Sequence, residues 1–187
     1  SSTTAGKLSA GSISLIGNED SMIGVYTNGS SAAVDTEIAG LDMQNAKNDS
    51  TGIYIGSGSF KNTGSINIKA LDSSFGIYIK GVTGHNTVDF GTGSRTVNLG
   101  NDSIGLYLKN AQVSNMITDI TIGDTTGAPG TQAGVGMFLE DTAVTGAVNT
   151  NIISGNKTVA AYFGANTGNI TYNGNVQVGA NALGIYE

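Results

Sequence analysis

The chain has no cysteine and no tryptophan, and its 187 residues include one proline (Pro129), one histidine (His85) and one arginine (Arg95). Without cysteine there is neither a disulfide scaffold nor a thiolate metal site, so stability has to come from packing. Charge is scarce too, at 12% of residues against about 25% in ordinary globular domains. Arg95 and seven scattered lysines form no basic cluster, and the net charge is −6. That balance disfavours nucleic acid and anionic membrane surfaces as partners. No apolar run approaches the roughly 20 residues of a membrane-spanning helix, so direct membrane insertion by this segment is not expected. The opening Ser1-Ser2-Thr3-Thr4 lacks the charged-then-apolar order of a signal peptide. Whatever exports or anchors the protein is expected to lie outside this chain.

Glycine is abundant, at 29 residues, among many Asn, Ser and Thr. Ile, Val and Leu are spread evenly through that background, which separates the chain from disordered acidic sequences. Their arrangement is repetitive. Gly24-Val25-Tyr26, Gly52-Ile53-Tyr54, Gly76-Ile77-Tyr78, Gly105-Leu106-Tyr107, Gly136-Met137-Phe138, Ala160-Ala161-Tyr162 and Gly184-Ile185-Tyr186 share one pattern. The aromatic positions are 28, 24, 29, 31, 24 and 24 residues apart, a 24-residue unit with insertions in some copies. Between them lie period-two segments such as Ser65-Ile66-Asn67-Ile68, Asp119-Ile120-Thr121-Ile122 and Asn175-Val176-Gln177-Val178, the signature of strands.

Three short strands per 24 residues predict an all-β fold, a right-handed parallel β-helix of about seven coils spanning 1–187 as one segment. Asn173-Gly174 could instead close a hairpin, but like segments recurring three strands later suit parallel stacking better. A leucine-rich solenoid is not expected, because neither its Leu-x-x-Leu-x-Leu spacing nor its Asn ladder recurs. The residues before and after the repeat glycine are almost wholly apolar and predict core columns, which puts the glycine and the aromatic together on the outer face. The rings then form a ladder with steps of roughly 4.8 Å. On one reading they stack over bare glycine backbone. On the other, Tyr54, Tyr78 and Tyr107 are an exposed aromatic stripe that binds a sugar or a protein surface.

Asn101-Asp102-Ser103-Ile104-Gly105-Leu106-Tyr107 and Asn62-Thr63-Gly64-Ser65-Ile66-Asn67-Ile68 resemble the passenger repeats of fusobacterial-type autotransporter adhesins, over nearly the whole chain. The resemblance implies type V secretion and a long β-helical passenger at the bacterial surface. It also implies an outer-membrane barrel, lying outside this chain, that anchors the passenger. It makes this chain a fragment of the passenger, whose partners would be host-cell or bacterial surface proteins or glycans.

Signals for chemistry are sparse. Asp20-Ser21, Asp49-Ser50, Asp72-Ser73 and Asp102-Ser103 precede the strand in four consecutive copies. Stacked carboxylates could call for a cation, but these side chains are expected to accept hydrogen bonds from their own turns. No metal site or cofactor is expected, and Asp124, Glu140 and Asp141 read as surface charges. His85 has no Gly-x-Ser-x-Gly partner motif. The lone Arg95 and dispersed acids do not assemble the carboxylate pair or basic groove of a carbohydrate-active β-helix. The long stretches 27–47 and 123–134 are the places where loops could carry recognition. The expectation is a non-enzymatic adhesin segment, either binding directly or serving as the stalk that presents a binding region in cell adhesion and virulence. The alternative is a β-helix polysaccharide lyase or tailspike-like glycosidase.

Overall fold

The period-two segments stack on their own copies. In the computed structural model, which describes residues 6–28, 33–81, 86–127, 134–165 and 167–187, all the strand pairs run parallel. The result is a β-helix with three faces. Strand β1 (Gly6–Leu15) supplies the second and third faces of an opening coil. Coil 1 consists of β2 (Ile23–Thr27) and β3 (Val34–Met43). Coil 2 comprises β4 (Thr51–Ile55), β5 (Phe60–Asn62) and β6 (Ile66–Ala70), and coil 3 comprises β7 (Phe75–Lys80), β8 (Asn86–Asp89) and β9 (Arg95–Leu99). In coils 4 and 5, β10 (Ile104–Ser114) and β12 (Val135–Val144) each run through two faces, followed by β11 (Asp119–Ile122) and β13 (Asn151–Ser154). Coil 6 holds β14 (Val159–Phe163) and β15 (Val176–Val178), and β16 (Leu183–Tyr186) opens the next.

On the first face β2, β4, β7, β10, β12, β14 and β16 pair in succession, seven strands separated by six turns. The insertions fall between strands and leave the stacking in register. Asn173-Gly174 closes no hairpin, since Val148 and Tyr172 form a parallel bridge beside the parallel pair β13–β15.

Sharp corners need residues that tolerate left-handed backbone. Ser21, Asp49, Ser73, Asp102, Lys157 and Asn181, with φ of 54–57°, turn the chain from the third face onto the first. Short polar side chains tolerate this conformation best, and Lys157 carries more of its steric cost. Asn110 (φ 55°) and Asp141 (φ 48°) bend β10 and β12 where they pass from first face to second.

Inside, Ile53, Ile55, Ile77, Ile79, Leu106, Leu108, Met137 and Leu139 project from the first face against Ile66, Ile68, Val97, Ile120 and Ile152 of the third, all essentially inaccessible. Phe60 and Phe90 fill the second-face side, with ring centroids 5.9 Å apart.

The repeat glycine corrects an expectation. It does not share the outer face with the tyrosine. A Cβ on Gly24 or Gly136 would strike core side chains of the third face, Leu41 at 3.0 Å and Ile152 at 2.8 Å, and at Gly52, Gly76 and Gly105 the collisions with Ile68, Val97 and Ile120 would be at least as close. The residue before the glycine correspondingly turns outward. Ile23 and Leu183 are half-exposed, and Phe75 packs edge-on against the Tyr78 ring at 6.0 Å. The sequence pattern misleads because the corner interrupts alternation. Gly76 and Ile77 are both buried although adjacent, and the pairing skips the glycine column, passing from Phe75 to Ile77 opposite Ile104 and Leu106.

Candidate functional site

The third position of each repeat puts its ring on the outside of the first face. Tyr26, Tyr54, Tyr78, Tyr107, Phe138, Tyr162 and Tyr186 form one continuous stack with centroid steps of 5.0, 5.0, 4.6, 4.9, 4.7 and 5.6 Å. Interplanar angles between Tyr54, Tyr78 and Tyr107 are 3° and 5°. Strand pairing alone fixes the spacing of about 4.8 Å, close to contact distance for parallel rings.

The candidate residues Tyr54, Tyr78 and Tyr107 are thus brought together, each half-buried between its neighbours. Both faces of each of these rings lie on other rings, leaving edges and hydroxyls toward solvent. Burial raises the pKa of Tyr78, and the neighbouring Tyr107 and Tyr54 phenols add to it while Lys109 opposes. Burial also raises Tyr107. Beside the ladder, Lys109 Nζ donates to Glu140 Oε1 at 2.8 Å, so Glu140 is partnered rather than merely solvated. A flat sugar ring that stacks on tyrosine needs an unoccupied aromatic face. Within the stack, recognition would have to use edges and hydroxyls.

The Asp-Ser pairs mark a different construction, at the corner between third and first faces. The residue preceding the left-handed position is Asp20, Asn48, Asp72, Asn101, Asn156 and Ala180, and Asp124 takes the same place in coil 5, where the following Thr125 is not left-handed. Each Asx side-chain Oδ1 accepts the backbone N–H of the same position one coil later. The distances are 3.1, 3.2, 2.7, 2.8, 2.8 and 2.7 Å from Asp20–Asn48 to Asn156–Ala180. The expected bonds to their own turns are therefore replaced by bonds between coils, and an Asx ladder is present where none was expected.

Asp and Asn alternate along it, so two carboxylates are separated by a neutral amide instead of facing each other one coil apart. The Asp-Ser dipeptides mislead because they straddle two registers. Asp20 and Asp72 are ladder rungs, whereas Asp49 and Asp102 occupy the left-handed position itself. Asp102 is held below the ordinary carboxylate pKa chiefly by the Thr126 hydroxyl, with the Thr126 N–H adding to it. The N–H and then the side chain of Asn156 lower Asp124.

A third ladder runs just inside the second in the opposite sense. Met22 N–H donates to Ser50 Oγ, Ser50 N–H to Ser74 Oγ and Ser74 N–H to Ser103 Oγ, each at 3.1 Å. Ser50, Ser74 and Ser103 are buried, and each hydroxyl passes its own proton to a carbonyl two residues back. Within the Asp-Ser pairs, Ser50 and Ser103 read only as turn residues, and Ser74 lies outside those pairs. The recurrence of these serines one residue before three consecutive first-face strands, β4, β7 and β10, was the available signal.

Among the described residues no three His, Cys, Asp or Glu side chains form a metal-binding group. His85 and Pro129 lie outside the described residues. Arg95 Nε donates to the Met116 carbonyl at 2.8 Å, and its Nη1 donates to the carbonyls of Gly93, at 3.1 Å, and Gly91. It thus ties two successive corner turns together. No protein-family model, no curated protein and no solved structure matches the chain.

Proposed function

We propose that the chain is a rigid β-helical segment of a bacterial cell-surface adhesin of the autotransporter passenger type. It would be exported by type V secretion and held at the outer membrane through a region beyond this sequence. In this role it contacts host-cell or microbial surface proteins or glycans, or is the stalk that carries such a site outward. The observation behind the reading is the continuity of the aromatic and Asx ladders from coil to coil in one register, with the Ser ladder beside them over coils 1 to 4. Each coil repeats the first-face strand and its ring, so repetition builds reach and stiffness. Rod-like projection from a surface is the use such a construction serves.

The test is to display the segment on beads and measure attachment to epithelial cells and to other bacteria, beside beads carrying an unrelated β-helix. Saturable attachment specific to this segment supports a binding role. Attachment only with the flanking passenger sequence makes it the stalk. Incubation with surface polysaccharides, assayed for new reducing ends or unsaturated products, addresses the enzyme alternative. Reproducible turnover there would displace the adhesin reading.

A further inference from the structure

Arg95 occupies a position at which the preceding coils are apolar. It aligns with Ile66, which aligns with Leu41, yet here a guanidinium extends from the start of β9 to the corner between second and third faces. Its neighbours are carbonyls, and among the described residues no carboxylate lies within ion-pair distance and Nη2 makes no hydrogen bond. The corner of coil 5, residues 145–150, is longer than that of coil 4, residues 115–118. The extra length leaves a cleft of about 270 Å³ against the guanidinium, lined by Arg95, Asn115, Thr118, Thr145, Gly146 and Asn149 among others.

No acidic side chain lines the cleft. The nearby Asp89 Oδ1 is taken by Gly91 N–H and Asn115 Nδ2, each at 2.9 Å. Thr118 spends its proton on the Arg95 carbonyl at 2.8 Å and keeps lone pairs for a donor, while Thr145 and Asn149 are exposed at the rim.

We propose that this cleft binds a carboxylate-bearing sugar of an acidic glycan, a uronic or sialic acid residue. The carboxylate meets Arg95 Nη2, and ring hydroxyls meet Thr145, Thr118 and Asn149. In a chain of net charge −6, its one arginine faces a cleft without acids. A guanidinium flanked by hydroxyls and amides suits a ligand that is both anionic and polyhydroxylated. The volume is at the small end for ligand sites and accommodates one sugar ring. The site lies away from the tyrosine ladder and does not depend on the adhesin reading.

The test is amide and Arg Nε NMR of the whole chain titrated with sodium glucuronate, N-acetylneuraminate, glucose and acetate at constant ionic strength. The expected result is saturable shifts at Thr118, Thr145, Gly146 and Arg95 Nε with one of the acid sugars. The Kd should be on the order of 1–10 mM, with acetate about tenfold weaker and glucose silent. Arg95→Met also removes the turn clamp, so the Thr145→Val/Asn149→Ala double variant is the control. It should keep its melting temperature and lose roughly tenfold in affinity. Absence of saturable shifts up to about 50 mM acid sugar, more than enough to populate such a weak site, would overturn the proposal. So would an equal response to glucose, an equal response to acetate, or unchanged affinity in the folded double variant.

Discussion

Asp72 Oδ1 accepts the backbone N–H of Asn101 at 2.7 Å, and Asn101 Oδ1 accepts that of Asp124 at 2.8 Å. One acceptor oxygen per rung is all the ladder needs, and either Asx side chain supplies it. The two differ in charge. Alternation keeps anionic rungs two coils apart, roughly 10 Å at the ordinary strand spacing, where screening by salt is substantial.

Asn101→Asp therefore preserves the hydrogen bond but places carboxylates on three consecutive rungs at 72, 101 and 124. The expected result is a loss of stability at neutral pH and low salt that shrinks as salt is added. Mutual repulsion raises the carboxyl pKa values in the folded state. The penalty is therefore present above the ordinary carboxylate range and relieved as pH falls through it. Chemical denaturation at pH 7 and pH 3.5, with and without 0.5 M salt as a rough screening level, checks this. Equal destabilisation under all conditions would show that charge is irrelevant to the alternation.

Ser74→Ala leaves the buried Ser50 N–H without its acceptor and should cost about 1–3 kcal/mol. Ser74→Thr should cost much less, since the equivalent residue in coil 6 is Thr158, buried with its hydroxyl bonded to the Gly155 carbonyl. Amide exchange at Ser50 reports the same event locally. If its protection is unchanged in Ser74→Ala, the Ser ladder does not hold the turn.

Tyr78 makes two parallel stacks, with Tyr54 and Tyr107. Tyr78→Ala interrupts the aromatic column and is expected to cost about 2–3 kcal/mol in contact area and stacking. That corresponds to a melting shift of about 4–12 °C for a chain of this size. Tyr78→Phe should be close to neutral, because Phe138 already occupies the same column between Tyr107 and Tyr162. Loss of cell attachment in Tyr78→Phe at unchanged melting temperature would assign the row of hydroxyls to recognition.

Tyr172 is pushed up to about 12 by burial, and its hydroxyl donates to the Thr150 carbonyl at 2.5 Å. Tyr78 and Tyr107 are also raised above the ordinary value of 10.0. A folded chain that retains these protons while the unfolded chain releases them is fully favoured below pH 10. It loses that contribution progressively toward pH 12. Ultraviolet titration of the phenolates should show late-ionising tyrosines that merge with the rest on unfolding. Tyr172→Phe should remove the last step. One titration near pH 10 for every tyrosine would contradict these assignments.

The strands and their period are legible in the sequence because they depend on chemistry that recurs locally. Ile66 and Ile68 alternate with polar neighbours, and Tyr54, Tyr78 and Tyr107 recur at coil length, so parallel stacking and the ring ladder follow from spacing. The coil as a unit was therefore determined by the chain itself. What the tertiary structure decided lies at the corners. There Gly76 turns inward against Val97 and Phe75 outward against Tyr78, because a bend breaks the alternation on which inside and outside are inferred. The Asx and Ser ladders join residues 23 to 32 and 24 to 29 positions apart, and the Arg95 cleft joins coils 3, 4 and 5. Each requires the coils to be in register, and register emerges only when backbone pairing, core packing and insertion lengths are satisfied together.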